Sequence, residues 1–141
     1  MSETKKMTKE EILEIFKSEY KSVLRQYERQ VEKYTLKMNE DYEYFFRWHS
    51  GDMYVATVNL QAVRALRPAT SWNDFGKIET WLIHQIQNIE LNLIEGSQTT
   101  SSTSMMMNAA EVLKRVAAQE LRQNLQRLLT VVTYNKNPVD L

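Results

Sequence analysis

An apolar stripe with the period of an α-helix runs along the first part of the chain. Its members recur every three or four residues, the spacing that places side chains on one face of a helix. They are Ile12, Phe16, Tyr20, Val23, Leu24, Tyr27, Val31, Tyr34 and Met38. Thr8 and Glu11 stand at capping-box spacing just before the stripe, and they predict that the helix begins near residue 9. Such a stripe favours a protein in which other helices cover this face.

The end of this first helix is less clearly marked than its start. Phe45 and Trp48 continue the stripe in phase, and Gly51 is the first glycine of the sequence, placed where a C′ residue would end a helix. These signals predict one helix over about 9–49, roughly 60 Å long. The polar residues 39–41 could instead hold a break, and the sequence leaves this alternative open.

Three further helices are predicted from the same periodicity and from capping signals. Their expected ranges are about 52–66, 72–95 and 108–134. Asp74 can cap the third helix, and Gly96 is placed to end it. The polar run SQTTSSTS at 97–104 has no means of burying apolar surface, so we expect a flexible loop there.

The composition agrees with a helical chain. Three glycines and two prolines in 141 residues leave few positions suited to tight turns. The length is that of one ordinary domain with its own hydrophobic core. We therefore expect a single all-α domain over 1–141, built as a four-helix bundle or an irregular helical array with a long N-terminal helix.

Charge and cysteine content narrow the classes of function. Lysine plus arginine number 18 and aspartate plus glutamate number 18, so no overall field attracts nucleic acid or an anionic membrane. The absence of cysteine excludes disulfides and thiolate chemistry and fits a reducing compartment. The N-terminus lacks the apolar segment of a signal peptide, and no stretch is apolar enough to span a membrane. We expect a cytoplasmic protein, in its own or a host cell, without membrane association.

His49, Ser50 and Asp52 come closest to a catalytic constellation. A hydrolytic triad needs side chains that converge on one point, whereas near neighbours in a chain project in different directions. No glycine-rich nucleophile elbow surrounds the serine, and neither His49 nor His84 lies in a helical metal-binding motif. We therefore interpret residues 49–52 as a boundary between helices, and expect a protein that is not an enzyme, with no metal and no cofactor.

Aromatic and methionine residues suggest a contact surface. Tyrosine, tryptophan and methionine are enriched in the cores of protein interfaces, and methionine adapts to irregular surfaces. The candidate partner-binding residues are Tyr42, Phe45, Phe46, Trp48, Met105, Met106 and Met107. The alternative is that these side chains fill the core of the bundle.

A row of cations on the first helix suggests a different partner. The row recurs every four residues and consists of Lys17, Lys21, Arg25, Arg29, Lys33 and Lys37. Steps of about 6 Å resemble the spacing of phosphates on an extended strand, so the row could follow a nucleic-acid backbone together with Arg115 and Arg122 of the fourth helix. Glu14, Glu28 and Glu32 each lie three residues from a member of the row, and we expect them to cancel much of its field.

The preferred hypothesis is a helical protein–protein interaction or assembly subunit, oligomeric or part of a larger complex. Its main support is length, because a first helix of roughly 60 Å would extend beyond third and fourth helices of roughly 36–40 Å and leave apolar surface uncovered. The alternative is a small nucleic-acid-binding or ribonucleoprotein accessory subunit that uses the cation row.

Overall fold

Four α-helices and one short 3₁₀ helix form the described chain. A computed structural model describes residues 7–98 and 105–134, with side chains over 7–93 and 108–133. The elements in chain order are α1 (Lys9–Glu40), α2 (Tyr42–Ala65), the 3₁₀ helix Arg67–Ser71, α3 (Phe75–Gln98) and α4 (Met105–Tyr134). The described residues contain no strand. The expectation of an all-α fold with a long N-terminal helix is confirmed.

The first two helices are separated at Asp41, so the predicted continuous helix over 9–49 is wrong. Asp41 has an extended backbone (φ −154°, ψ 96°), and its N–H still donates to the Lys37 carbonyl at 3.2 Å. Its Oδ1 accepts from the Tyr44 N–H at 3.1 Å and so caps α2. The alternative of a break at residues 39–41 is therefore the one that the structure shows.

This single non-helical residue reverses the chain direction, and α1 and α2 pack as an antiparallel hairpin. The Tyr20 hydroxyl near the start of α1 donates to the Val63 carbonyl near the end of α2 at 2.8 Å. Closer to the turn, the rings of Tyr34 and His49 lie 5.7 Å apart. We call the turn and the first residues of α2 the hairpin tip.

Gly51 lies inside α2 instead of ending a helix, which corrects the prediction of a boundary at residues 49–52. Its φ is not positive, so it has no left-handed cap conformation. A Cβ built on Gly51 would lie 3.1 Å from Leu113 Cδ2 of α4. The glycine therefore permits a close approach of α4 to α2, which is a second common use of glycine.

The boundaries of the last two helices also differ from those predicted. Asp74 accepts from the Lys77 N–H at 3.3 Å, and α3 begins at Phe75 and not at residue 72. The helix continues past Gly96 to Gln98, so residues 97 and 98 are helical, and the rest of the predicted loop, 99–104, lies outside the described residues. The fourth helix begins at Met105, three residues earlier than predicted.

Helix α4 lies against both helices of the hairpin and against α3, and the hydrophobic core forms around it. Lys9 Nζ lies 6.0 Å from the centre of the Phe75 ring, which places the start of α3 beside the start of α1, at the end of the molecule away from the hairpin tip. Apolar side chains of all four helices meet in one cluster. It includes Phe16, Tyr20, Val23, Tyr27, Leu60, Val63, Ile78, Leu82, Leu125, Leu128 and Val132.

Helix α1 is shorter than predicted and nearly matches α4 in length. Helix α1 has 32 residues and α4 has 30, so they are about 48 and 45 Å long. The length mismatch with α4 is therefore only about 3 Å, whereas α3, with 24 residues, is about 36 Å long and remains shorter than α1. Any case for a docking surface must come from exposed side chains instead.

Candidate interaction surfaces

Aromatic side chains stand exposed at the hairpin tip. The exposed fractions of Tyr42, Tyr44, Phe46 and Trp48 are 65%, 57%, 53% and 65%. We call these four residues the aromatic tip. Leu36, in the last part of α1, is 64% exposed. Large apolar side chains gathered in this way differ from the single exposed apolar residues that are normal on protein surfaces.

The helical geometry of α2 explains why these aromatics are outside while a neighbour is inside. Phe45 is only 4% exposed and lies in the core of the hairpin. At 100° per residue, Tyr42 and Phe46 fall on one flank of Phe45, and Tyr44 and Trp48 fall on the other. The rings of Tyr42 and Phe46 stack at 6.3 Å. Of the predicted aromatic contact residues, Phe45 thus supports the tip from within, while the others form its surface.

The three predicted methionines lie at the first turn of α4. Met105, Met106 and Met107 are helical, and their side chains are outside the described residues. Gly51 of α2 lies level with Leu113 of α4. Farther from the turn, Tyr27 of α1 bonds to Asn124 of α4. Helix α4 therefore runs away from the turn between Leu113 and Asn124, in the same direction as α2 and opposite to α1. The start of α4 is consequently at the same end of the molecule as the aromatic tip.

The residues of the apparent catalytic constellation do not converge on one point, because Ser50 bonds to the helix backbone and only His49 and Asp52 approach each other. Ser50 Oγ donates to the Phe46 carbonyl at 2.6 Å, an ordinary bond within a helix. His49 Nδ1 lies 3.6 Å from Asp52 Oδ2, one turn farther along α2. Among the described side chains, those of residues 7–93 and 108–133, no group of three or more histidine, aspartate or glutamate residues is arranged to hold a metal ion.

The cation row lies on the face of α1 that points away from the core. Lys21, Arg25 and Arg29 line an open groove together with serine and glutamine residues of the same helix. Of the ion pairs expected within α1, Glu14–Lys17 forms at 3.6 Å, whereas Arg25 and Arg29 take part in none of the ion pairs of the described chain. The expected cancellation of charge along the row is therefore incomplete at its centre.

The ends of the row and the arginines of α4 have different surroundings. Lys33 Nζ lies 5.4 Å from the centre of the Tyr34 ring, and Lys37 is partly buried near the end of α1. Arg122 pairs with Glu90 of α3 at 3.6 Å, and Arg115 lines a cavity between α3 and α4. The two arginines thus belong to the α3–α4 side, so they do not extend the row on α1.

A polar cluster inside the bundle was not predicted from the sequence. Asn124 Nδ2 donates to the Tyr27 hydroxyl at 2.6 Å, and the Tyr27 side chain is fully buried. Burial raises the pKa of Tyr27 above the ordinary tyrosine value, and the charge of Glu120 raises it further. Asn59 is also buried, and its Nδ2 has no hydrogen-bond partner in the described structure. A buried asparagine is unusual in an apolar helix face, and it is the one sequence signal that could have revealed this cluster.

Neither a protein family, nor a curated protein, nor a solved structure matches this chain in the comparisons. None of the described helices is long and apolar enough to cross a membrane. The function must therefore be argued from the surfaces themselves.

Proposed function

We propose that this protein is a non-enzymatic interaction subunit that binds a protein partner through the aromatic tip. The observation that carries the proposal is the exposure of four aromatic side chains within seven consecutive residues of one hairpin end. Tyrosine and tryptophan are the residues that most often dominate the binding energy of protein interfaces. The partner is a further copy of this chain or a different protein in a larger assembly.

The area of the aromatic tip is sufficient for docking. An aromatic side chain presents about 150–250 Å², so four of them at somewhat more than half exposure leave on the order of 450 Å² uncovered. At about 25 cal/mol per Å², covering this area stabilises a complex by about 11 kcal/mol before association costs. Those costs are about 4–15 kcal/mol, so the aromatic tip can offset most of them and neighbouring contacts supply the remainder.

The backbone of the aromatic tip is already helical before any partner binds. All four residues belong to α2, whose first turn is capped by Asp41. Phe45 anchors this turn in the core, and the Tyr42 and Phe46 rings support each other by stacking. A surface that is already ordered loses little conformational entropy on binding.

The chemistry of the aromatic tip favours a protein over a lipid surface. Two of the four aromatics are tyrosines, whose hydroxyl groups suit a partly hydrated interface. Glu40 and Glu43 are exposed beside them. Arg47 is the one cationic residue within 40–48, and it is paired with Glu43 at 3.2 Å, so the tip has no excess of positive charge. Carboxylates at this position are repelled by anionic membranes.

The proposal is tested by comparing Trp48→Ala with the control variant Leu91→Ala. Both side chains are more than half exposed, and Leu91 lies on α3, outside the aromatic tip. Sedimentation velocity over a range of concentrations measures self-association. Binding to a candidate partner is measured with the two purified proteins. We expect Trp48→Ala to weaken the dimer or the complex at least about tenfold, with Leu91→Ala within about twofold of the parent. Equal affinities of the two variants, or a protein with no partner of either kind, contradict the proposal.

Binding of single-stranded nucleic acid along α1 is a second candidate function. It is favoured by Lys21, Arg25 and Arg29, which are exposed at steps of about 6 Å and are free of ion pairs with the described carboxylates. Glu28 and Glu32 lie one helical turn from Arg25 and Arg29 but form no ion pair with them, and Glu19 is held by Arg127 at 2.6 Å. The overall charge of zero weighs against this function.

The salt dependence of oligonucleotide binding tests this second function. If three phosphates are contacted, the logarithm of the affinity falls with the logarithm of the salt concentration with a slope of about −2 for a single strand. The double variant Arg25→Gln/Arg29→Gln should reduce this slope by more than half. Retention that is weak at low salt, or that is unchanged in the variant, argues against it.

A further inference from the structure

A shallow surface cavity, open to solvent and about 640 Å³ in volume, lies along the first half of α3, at the end of the molecule away from the aromatic tip. It is lined by Trp72, Asp74, Lys77, Thr80, Trp81 and His84. Its volume is within the range of small-molecule sites. Gly76 also borders the cavity and contributes no side chain that would fill it.

Two tryptophans form a fixed corner of the cavity. The backbone of Trp72 is extended (φ −81°, ψ 138°), so that the chain before α3 lies alongside its first turns. The Trp72 and Trp81 rings meet at 5.5 Å between centroids and at 85° between planes. Both indoles are partly buried against the hydrophobic core, which holds them in place and leaves the rest of each ring accessible. Two perpendicular aromatic walls suit a flat ring that stacks on one wall and meets the edge of the other.

The charge at the cavity favours an anionic group on that ring. Lys77 Nζ lies 4.4 Å from the centre of the Trp72 ring, and Lys77 takes part in no ion pair within the described part of the chain. Asp74 is the one carboxylate among the lining residues, and its Oδ1 already accepts from the Lys77 N–H at the start of α3. Thr80 and His84 add groups that can donate hydrogen bonds at the same wall.

We propose that this cavity binds a small planar aromatic molecule that carries a carboxylate or phosphate group. The ring lies in the corner between Trp72 and Trp81, and the anionic group pairs with the Lys77 ammonium. A cationic aromatic is disfavoured because the ammonium of Lys77 already occupies one side of Trp72. The site is separate from the aromatic tip, so ligand binding here does not depend on the proposed docking function.

The experiment uses tryptophan fluorescence of the full chain with Trp48→Phe as the parent background. The chain has three tryptophans, so Trp72 and Trp81 are then the only ones that report. The probes are naphthalene-2-carboxylate and its neutral isostere naphthalene-2-carboxamide. We expect saturable quenching by both, with the carboxylate bound about tenfold more tightly, since a charge-assisted hydrogen bond is roughly twice as strong as a neutral one.

Variants assign the preference to one side chain. Lys77→Gln, at an exposed position, should remove the tenfold preference and leave the affinity for the carboxamide within about twofold. Lys114→Gln, an exposed lysine of α4, is the matched control and should keep the preference. Thermal unfolding monitored by circular dichroism confirms that each variant is folded as the parent is.

Several results overturn the inference. They are the absence of saturable quenching up to millimolar probe, equal affinity for the two probes, a preference that survives Lys77→Gln, and tighter binding of 2-naphthylmethylammonium than of the carboxylate.

Discussion

Replacing Tyr27 by phenylalanine should make the protein less sensitive to alkaline pH. The hydroxyl of Tyr27 is buried, accepts from Asn124 and lies near the carboxylate of Glu120, and burial followed by this charge raises its pKa well above the ordinary value. In the unfolded chain the same group titrates near pH 10. The folded protein therefore keeps the proton over a pH range in which the unfolded chain releases it.

The sign and size of the effect follow from proton linkage. Above about pH 10 the unfolded state binds fewer protons than the folded state, so the free energy of unfolding falls as pH rises. The stability contributed by the neutral hydroxyl is complete below pH 10 and is lost progressively above it. For one such group the loss at pH 11 is about 1.4 kcal/mol, provided that the folded pKa lies well above 11. Burial is also the main cause of the raised pKa values of Tyr20 and Tyr34. These two groups make the free energy of unfolding of the parent protein fall more steeply with pH.

Urea unfolding at pH 8.5 and pH 11 measures this difference. We expect the free energy of unfolding of Tyr27→Phe to fall by about 1.4 kcal/mol less than that of the parent between these two values. Tyr42→Phe is the control, because the Tyr42 side chain is exposed and its substitution should leave the parent's pH dependence unchanged. All other ionisable groups are common to the three proteins, so they cancel in the comparison. Parallel loss of stability in the parent and Tyr27→Phe would refute the argument from burial.

Three other substitutions test the packing. Asp41→Ala removes the cap of α2 and should lower the stability by about 1 kcal/mol, a fall of roughly 3–4 °C in Tm by calorimetry, while Asp41→Ser retains most of it. Gly51→Val places new atoms against Leu113 and should lower the free energy of unfolding in urea by about 1–3 kcal/mol. Combining it with Leu113→Ala should relieve part of that loss, and a double variant whose loss equals the sum of the two single losses would contradict the contact. Arg127→Ala breaks the partly exposed pair with Glu19 and should cost no more than about 1 kcal/mol, so a larger loss in the same assay would show that the pair is more strongly coupled to the core.

Helical periodicity predicted the class of fold but not the position of the hairpin turn. In the sequence the apolar stripe of α1 passes through residue 41 without interruption because Phe45 is buried after the reversal, as it would have been on a continued helix. A one-residue link needs no glycine and no long polar loop, so its signal in the sequence is confined to the short polar run 39–41. Asp41 itself was a visible signal, since its side chain is well suited to capping, and it was outweighed by the continuity of the stripe.

Gly51 illustrates why a residue type alone does not identify its structural role. Glycine is favoured both at the C-terminal cap of a helix and where two helices approach closely. The sequence offers no means of choosing between these uses, because the choice depends on Leu113, a residue 62 positions farther along the chain. The same limit applies to the cavity beside α3, whose tryptophans are brought together by an extended segment that periodicity does not describe.

The aromatic tip was partly predictable. The clustering of aromatic residues was visible in the sequence, but their division between surface and core depended on knowing where α2 begins. Once the helix starts at Tyr42, the direction of every following side chain is set in steps of 100°, and Phe45 is the aromatic residue of this turn that is buried. The central cations of α1 were recognised as a row, whereas the lack of ion pairs at Arg25 and Arg29 required side-chain positions.

The one-residue link at Asp41 has a kinetic consequence for any molecule that meets the aromatic tip. The link between α1 and α2 is too short to fold over an arriving surface, so the backbone at this turn offers a preformed shape and recognition there resembles the meeting of two rigid bodies. Differences in affinity between such molecules should then arise mainly from how slowly they depart, because the rate of encounter varies little when neither side has to rearrange.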